Sequence, residues 1–163
     1  MIRALLLWYS SRRHVVHIGA IVAYMGLIFI LSSMEFTPDV KLTLVWAMLF
    51  NLCHVPLYFG LSVLITLYLR KALRVAERSG SSLAYGFVAV SALLVYGLSD
   101  EYHQSFTGRN PSLLDLASDL IGGVLGVLLV SYLLDAKPSR AAFCLYGGGL
   151  AAAAVTVAYF GSV

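Results

Sequence analysis

Apolar residues run along this chain in long blocks, and polar positions gather in short clusters between them. Five blocks stand out, at about 14–33, 45–69, 83–99, 113–134 and 142–160. A hydrocarbon core about 30 Å thick is crossed by roughly 20 residues of helix. The third block has only 17 residues and runs straight into Asp100-Glu101-Tyr102-His103-Gln104. Its helix is therefore expected to continue past the apolar part, inside a bundle that tolerates polar groups. Pro38, Pro111 and Pro138 fall between blocks, where helices should stop. Pro56 falls inside the second block and should kink it. The pattern predicts an all-α, polytopic transmembrane helix bundle with about five spans. Residues 1–13 read as a cytoplasmic stub, with an interfacial turn anchored by Trp8 and Tyr9. Residues 14–163 read as a single transmembrane domain. The apolar run 4–9 is too short for the core of a secretory leader, and Arg12 and Arg13 follow it. In the last block Gly147-Gly148-Gly149 and Ala151 to Ala154 are small enough for close helix packing.

Composition narrows this further. Hydrophobic residues make up 60% of the 163, charged residues only 12%, and mean hydropathy is +0.87. Ordinary soluble domains are about a quarter charged. So few charges could not cover a soluble surface, and disorder, a collagen-like chain and a disulfide-stapled module are excluded as well. The net charge of +3 carries no basic stretch interleaved with aromatics, so nucleic acid is not expected as a partner. The charges report topology instead, because basic residues stay on the cytoplasmic side. With the N-terminus inside, nine of the eleven basic residues are cytoplasmic, and only Lys41 and Arg109 are outside. The acids run the other way: Glu35, Asp39, Asp100, Glu101, Asp115 and Asp119 are all outer. Acids contribute little to orientation, so their outward bias is separate information and points to a site. Cys53 and Cys144 should lie in opposite leaflets, too far apart to pair.

Helical spacing sorts the polar residues into stripes. Asp115, Asp119, Gly122 and Gly126 fall within about 60° of one another, an acidic stripe above a glycine stripe. Asn51, His54, Tyr58 and Ser62 form a second stripe, and Glu101 and Gln104 share a face of the third span. Three helices thus offer polar groups at one outer level, with His54 expected near Glu101 or Asp119. A charge at membrane depth costs roughly 2.5–3.5 kcal/mol on insertion scales. Several at one level must be paired, wetted or used.

The run Asp100-Glu101-Tyr102-His103-Gln104, then Gly108-Arg109, then Ser112, Asp115, Asp119, Gly122 and Gly126, closely resembles the signature of the VanZ-like family of membrane proteins. His54 and Tyr58 are similar to that family's earlier motif, a His followed four residues later by Tyr, with Asn51 just before it. Leu57 stands where many members carry Glu. The resemblance covers about residues 20–130. It implies a small bacterial integral membrane protein of the cell envelope, in a family whose name-giving member is associated with resistance to the glycopeptide teicoplanin. It supplies a context and no reaction.

Two functions follow from the residues. In the first, an outer pocket binds an anionic lipid headgroup or a lipid-linked cell-wall precursor. Arg109 would grip the anionic group bidentately, and Gln104, Asp115, Asp119, Asn51 and Tyr58 would complete the site. In the second, the chain is an intramembrane enzyme on such a lipid, with Glu101, His103 or His54 as acid or base. Each residue also has a structural role open to it. Glu101 and Arg109 can pair with each other. Asp115 suits the positive end of a helix that Ser112 caps. Glu101 and His103 are two apart, so an intact helix points them in opposite directions and a shared metal is not expected. No cofactor is indicated. His14 and His17 read as interfacial polar residues.

Overall fold

The computed structural model describes residues 1–34, 44–73, 82–107, 111–134 and 140–162. Arg109, Pro38, Pro138, Glu35, Asp39, Lys41, Arg74, Glu77, Arg78, Asp135 and Lys137 lie outside the described residues. Regular structure among the described residues is entirely helical. The helices are α1 (Ile2–Ser10), α2 (His14–Ser32), α3 (Leu44–Leu52), α4 (His54–Ala72), α5 (Ser82–Gln104), α6 (Leu113–Leu134) and α7 (Arg140–Phe160). Four stretches are long and apolar enough to cross a membrane: α2, α3 with α4, α6, and the part of α7 from Phe143. The 23-residue α5 carries the polar run within its last turns, as the unbroken pattern there predicts. With it, the bundle has about five spans.

Pro56 acts one turn before its own position. Proline lacks an N–H and clashes with the carbonyl four residues back, which is that of Leu52. The helix accordingly breaks at Cys53, and Pro56 sits in the first turn of α4, where proline is tolerated.

Side-chain contacts fix the helix directions. His54 of α4 meets Asp119 of α6, and at the far end Arg70 of α4 donates to the Leu134 carbonyl of α6 at 3.2 Å. The two helices therefore run parallel. Tyr85, near the start of α5, accepts from Arg70 at 2.5 Å, so α5 runs antiparallel to both. Tyr24 of α2 reaches Gly60 of α4, while His17 neighbours Tyr68, so α2 is antiparallel to α4.

Lipid chains are as apolar as the helices, so close packing rather than hydrophobic burial joins transmembrane segments. The glycines of α6 provide it. A Cβ at Gly122 would strike the Val55 carbonyl, and one at Gly126 would lie 2.7 Å from Ser62 Cβ and 2.8 Å from the Phe59 carbonyl. Ser62 Oγ donates across this seam to the Gly123 carbonyl at 2.5 Å. Gly147, Gly148 and Gly149 behave differently from expectation: a Cβ at any of them would meet open space. Among the described side chains of α7, the buried small residues are Ala154 and Ala158.

The N-terminal stub is a helix that folds back on the bundle. Lys71 Nζ donates to the Ser10 carbonyl at 3.2 Å and also to that of Arg12. The Arg12 guanidinium lies 3.9 Å over the Trp8 ring. This covers His17, which is fully buried beside Tyr9.

Candidate functional site

At the His54 end of the bundle the polar tops of α4, α5 and α6 come together. Asp119 is wholly buried, and its Oδ1 lies 3.0 Å from His54 Nδ1. Two choices of residue make this contact. The break at Cys53 starts α4 at His54, so that its ring leans over α6. Gly97 of α5 leaves room on the other side: a Cβ there would come within 3.3 Å of Asp119 Oδ2 and 3.7 Å of Tyr58. Tyr58, also buried, therefore packs beside Asp119 one turn below His54.

Asp100, Glu101 and Gln104 supply the α5 side and are all buried. Gln104 Nε2 donates to Asp100 Oδ2 at 3.2 Å, one turn apart on the same face. Glu101 Oε2 accepts from the Ser112 backbone N–H at 2.6 Å, tying the end of α5 to the start of α6. Ser112 Oγ then accepts from the N–H groups of Leu114 at 3.2 Å and Asp115 at 3.3 Å, the N-cap its position predicts. Asp115 sits buried in the first turn of α6, where the helix dipole favours an acid.

Two candidates face elsewhere. His103 is turned to α2, where it stacks on Phe29 at 4.1 Å and its Nε2 lies 2.9 Å from Ser33 Oγ. Its separation from Glu101 follows from their spacing of two on an unbroken helix. Asn51 lies on the other side of the Cys53 break and donates to Ser162 Oγ at the end of α7, at 3.0 Å. The stripe from Asn51 to Ser62 is thus cut after its first member. Asp100 is the residue that reading roles from the sequence passed over. Its spacing of four to Gln104 and three to Gly97 places it on the buried face.

Several buried atoms here have no hydrogen-bond partner among the described residues: Asp100 Oδ1, Glu101 Oε1, Gln104 Oε1 and Ser118 Oγ. Buried polar groups are ordinarily paired. The first three are carboxyl or amide oxygens, which as carboxylate or amide carbonyl groups are acceptors and call for donors. Among the described residues no three His, Cys, Asp or Glu side chains form a metal-binding group.

The family model described as VanZ/LLP1 matches residues 4–134. The chain belongs to the VanZ/LLP1 family. No curated protein and no solved structure matches it. The VanZ/LLP1 match runs from α1 through α6 and takes in every helix of the buried cluster, while α7 lies beyond it. With its apolar, membrane-length helices, this is a membrane protein of VanZ type.

Proposed function

We propose that this VanZ-type protein binds the polar head of a membrane lipid or lipid-linked cell-envelope precursor, at the outer end of its bundle. It would do so in the bacterial cytoplasmic membrane, with the N-terminus inside and the C-terminus outside. One observation carries the reading: a set of buried acceptor oxygens on α5, lacking partners among the described residues, at the level of the His54–Asp119 pair. A head rich in hydroxyl or ammonium donors would satisfy them, and Arg109 would take its phosphate or carboxylate. Sugar-phosphate and glycerol-phosphate heads combine both features. A contribution to glycopeptide resistance would follow if the bound lipid is a cell-wall precursor.

The test is lipid analysis of the full chain purified in mild detergent. Wild type should carry one head class enriched several-fold over the bulk membrane. Arg109→Lys keeps the charge and loses the planar fork, so enrichment should collapse while folding persists. Bulk lipid composition on the wild type would refute the reading.

The His54–Asp119 pair supports a second reading, an intramembrane enzyme. An imidazole whose Nδ1 is held by a buried carboxylate is oriented to act as a base through its other nitrogen. Envelope-precursor pools with and without the protein separate the two. Unchanged pools favour binding; a precursor that accumulates when the protein or His54 is removed favours turnover.

A further inference from the structure

The acids at the His54 end of the bundle are not equally provided for. Asp119 is within electrostatic reach of Asp100 and Asp115, and Glu101 of Asp115, Asp119 and His54, so their charges share one site. Asp119 has the His54 imidazole at 3.0 Å. Asp115 stands in the first turn of α6, where the helix dipole favours an acid. Asp100 and Glu101 each hold one neutral donor on one oxygen, the Gln104 amide and the Ser112 backbone N–H respectively. Their second oxygens, Asp100 Oδ1 and Glu101 Oε1, are buried with no partner among the described residues, and so is Gln104 Oε1.

These three oxygens belong to one helix face. At about 100° per residue, Gln104 lies between the other two, roughly 40° from Asp100 and 60° from Glu101. Gln104 is wholly buried, and its Nε2 is held on Asp100, which keeps its Oε1 within the cluster. Hydroxyl groups would donate to these oxygens but bring no charge, and a buried carboxylate calls for a positive partner as well as a hydrogen bond. Among the described residues His54 is the basic side chain facing the cluster, and Asp119 holds it, while His103 is turned to α2. In the function proposed above, Arg109 is taken by the phosphate or carboxylate of the head. A divalent cation would bring charge, but among the described residues no three His, Cys, Asp or Glu side chains form a group that could hold one.

We propose that the group seated on Asp100, Glu101 and Gln104 is a primary ammonium. This narrows the head from any donor-rich phosphate to an aminoalkyl phosphate such as ethanolamine phosphate. A primary ammonium offers three N–H donors and one positive charge to three open oxygens, two of them on carboxyl groups. A quaternary ammonium has the charge and no donor; a glycerol head has donors and no positive charge. That the head belongs to a lipid rests on the function proposed above.

The experiment uses the full chain, purified in mild detergent. It is offered equal amounts of phosphatidylethanolamine, phosphatidylcholine and phosphatidylglycerol with identical acyl chains, and retained lipid is counted by native mass spectrometry. Phosphatidylethanolamine should be retained several-fold over both others. Ethanolamine phosphate in solution should raise the unfolding temperature, and choline phosphate and glycerol phosphate should not. Glu101→Gln keeps an oxygen for the Ser112 N–H, and Asp100→Asn keeps one for Gln104. Each should lose the preference for phosphatidylethanolamine over phosphatidylglycerol, while unfolding of the lipid-free variants stays close to wild type. Equal retention of phosphatidylcholine, or a preference that survives both substitutions, would overturn the proposal. The two readings fail separately. Enrichment of a head without an amine removes the ammonium and leaves the lipid site. Stabilisation by ethanolamine phosphate with no lipid enriched leaves the ammonium and removes the lipid. No preference in either measurement removes both.

Discussion

Asp119 has no exposure, lies inside a membrane-length helix and pairs with the His54 imidazole. Removing one partner of a buried pair costs more than the pair contributes, because the other is stranded without water. His54→Ala should therefore destabilise the protein by about 3 kcal/mol. His54→Ala combined with Asp119→Ala should recover part of this, with a coupling on the order of 1–3 kcal/mol. Unfolding in detergent micelles across the four members of the cycle measures it. A coupling near zero would mean that the pair does not hold α4 to α6. His103→Ala makes the contrast: it removes a contact with α2 alone, so Asp119 keeps its partner and the His54–Asp119 coupling should be unchanged.

Among the helices, the glycines are not equivalent. Gly122→Ala drives a methyl group into the Val55 carbonyl, which is backbone and cannot rotate away. It should lower stability on the order of 2 kcal/mol. Gly148→Ala meets open space and should gain up to about 1 kcal/mol from helix propensity. Thermal unfolding of both proteins checks the pair. The sequence distinguishes these glycines only in part. Gly122 and Gly126 continue an acidic stripe, which marks their face, whereas Gly147 to Gly149 cover every direction of a helix that is apolar all round. Hydropathy has no sidedness on such a helix, so the neighbour of each face stays hidden. For the same reason the spacing of Glu101 and His103 shows that they part, but not that His103 finds Phe29 and Ser33. Pro56 foretells a bend, but not that the break at Cys53 would send Asn51 to α7. What periodicity does carry is the helical bundle of about five spans, the continuation of α5 through its charged end, the Ser112 cap and the meeting of His54 with Asp119.

For the molecule as a whole, successive membrane segments alternate in direction, and the orientation proposed above puts the N-terminal face in the cytoplasm. In a chain with Cys53 and Cys144 replaced by alanine, Ser112→Cys should react with an impermeant thiol reagent from outside, and Ser11→Cys only after the membrane is opened. The opposite pattern would invert the topology. The parallel pairing of α4 with α6 also bears on how the chain enters the membrane during synthesis. Presented alone to the lipid, α6 would carry Asp115 and Asp119 at a cost of roughly 2.5–3.5 kcal/mol for each acid near the centre, and less near the surface. Translation delivers α4 two helices earlier, so His54 is already in the bilayer when Asp119 leaves the ribosome. α5 must then cross back before α6 can lie alongside α4 in the same direction. The order of the genetic message is thus an order of assembly, in which the helix that carries Asp119 arrives after its receptor. A nascent chain with α4 replaced by a polyleucine span should release α6 into the lumen or cytosol more often than the natural chain, as a glycosylation-tag insertion assay would record.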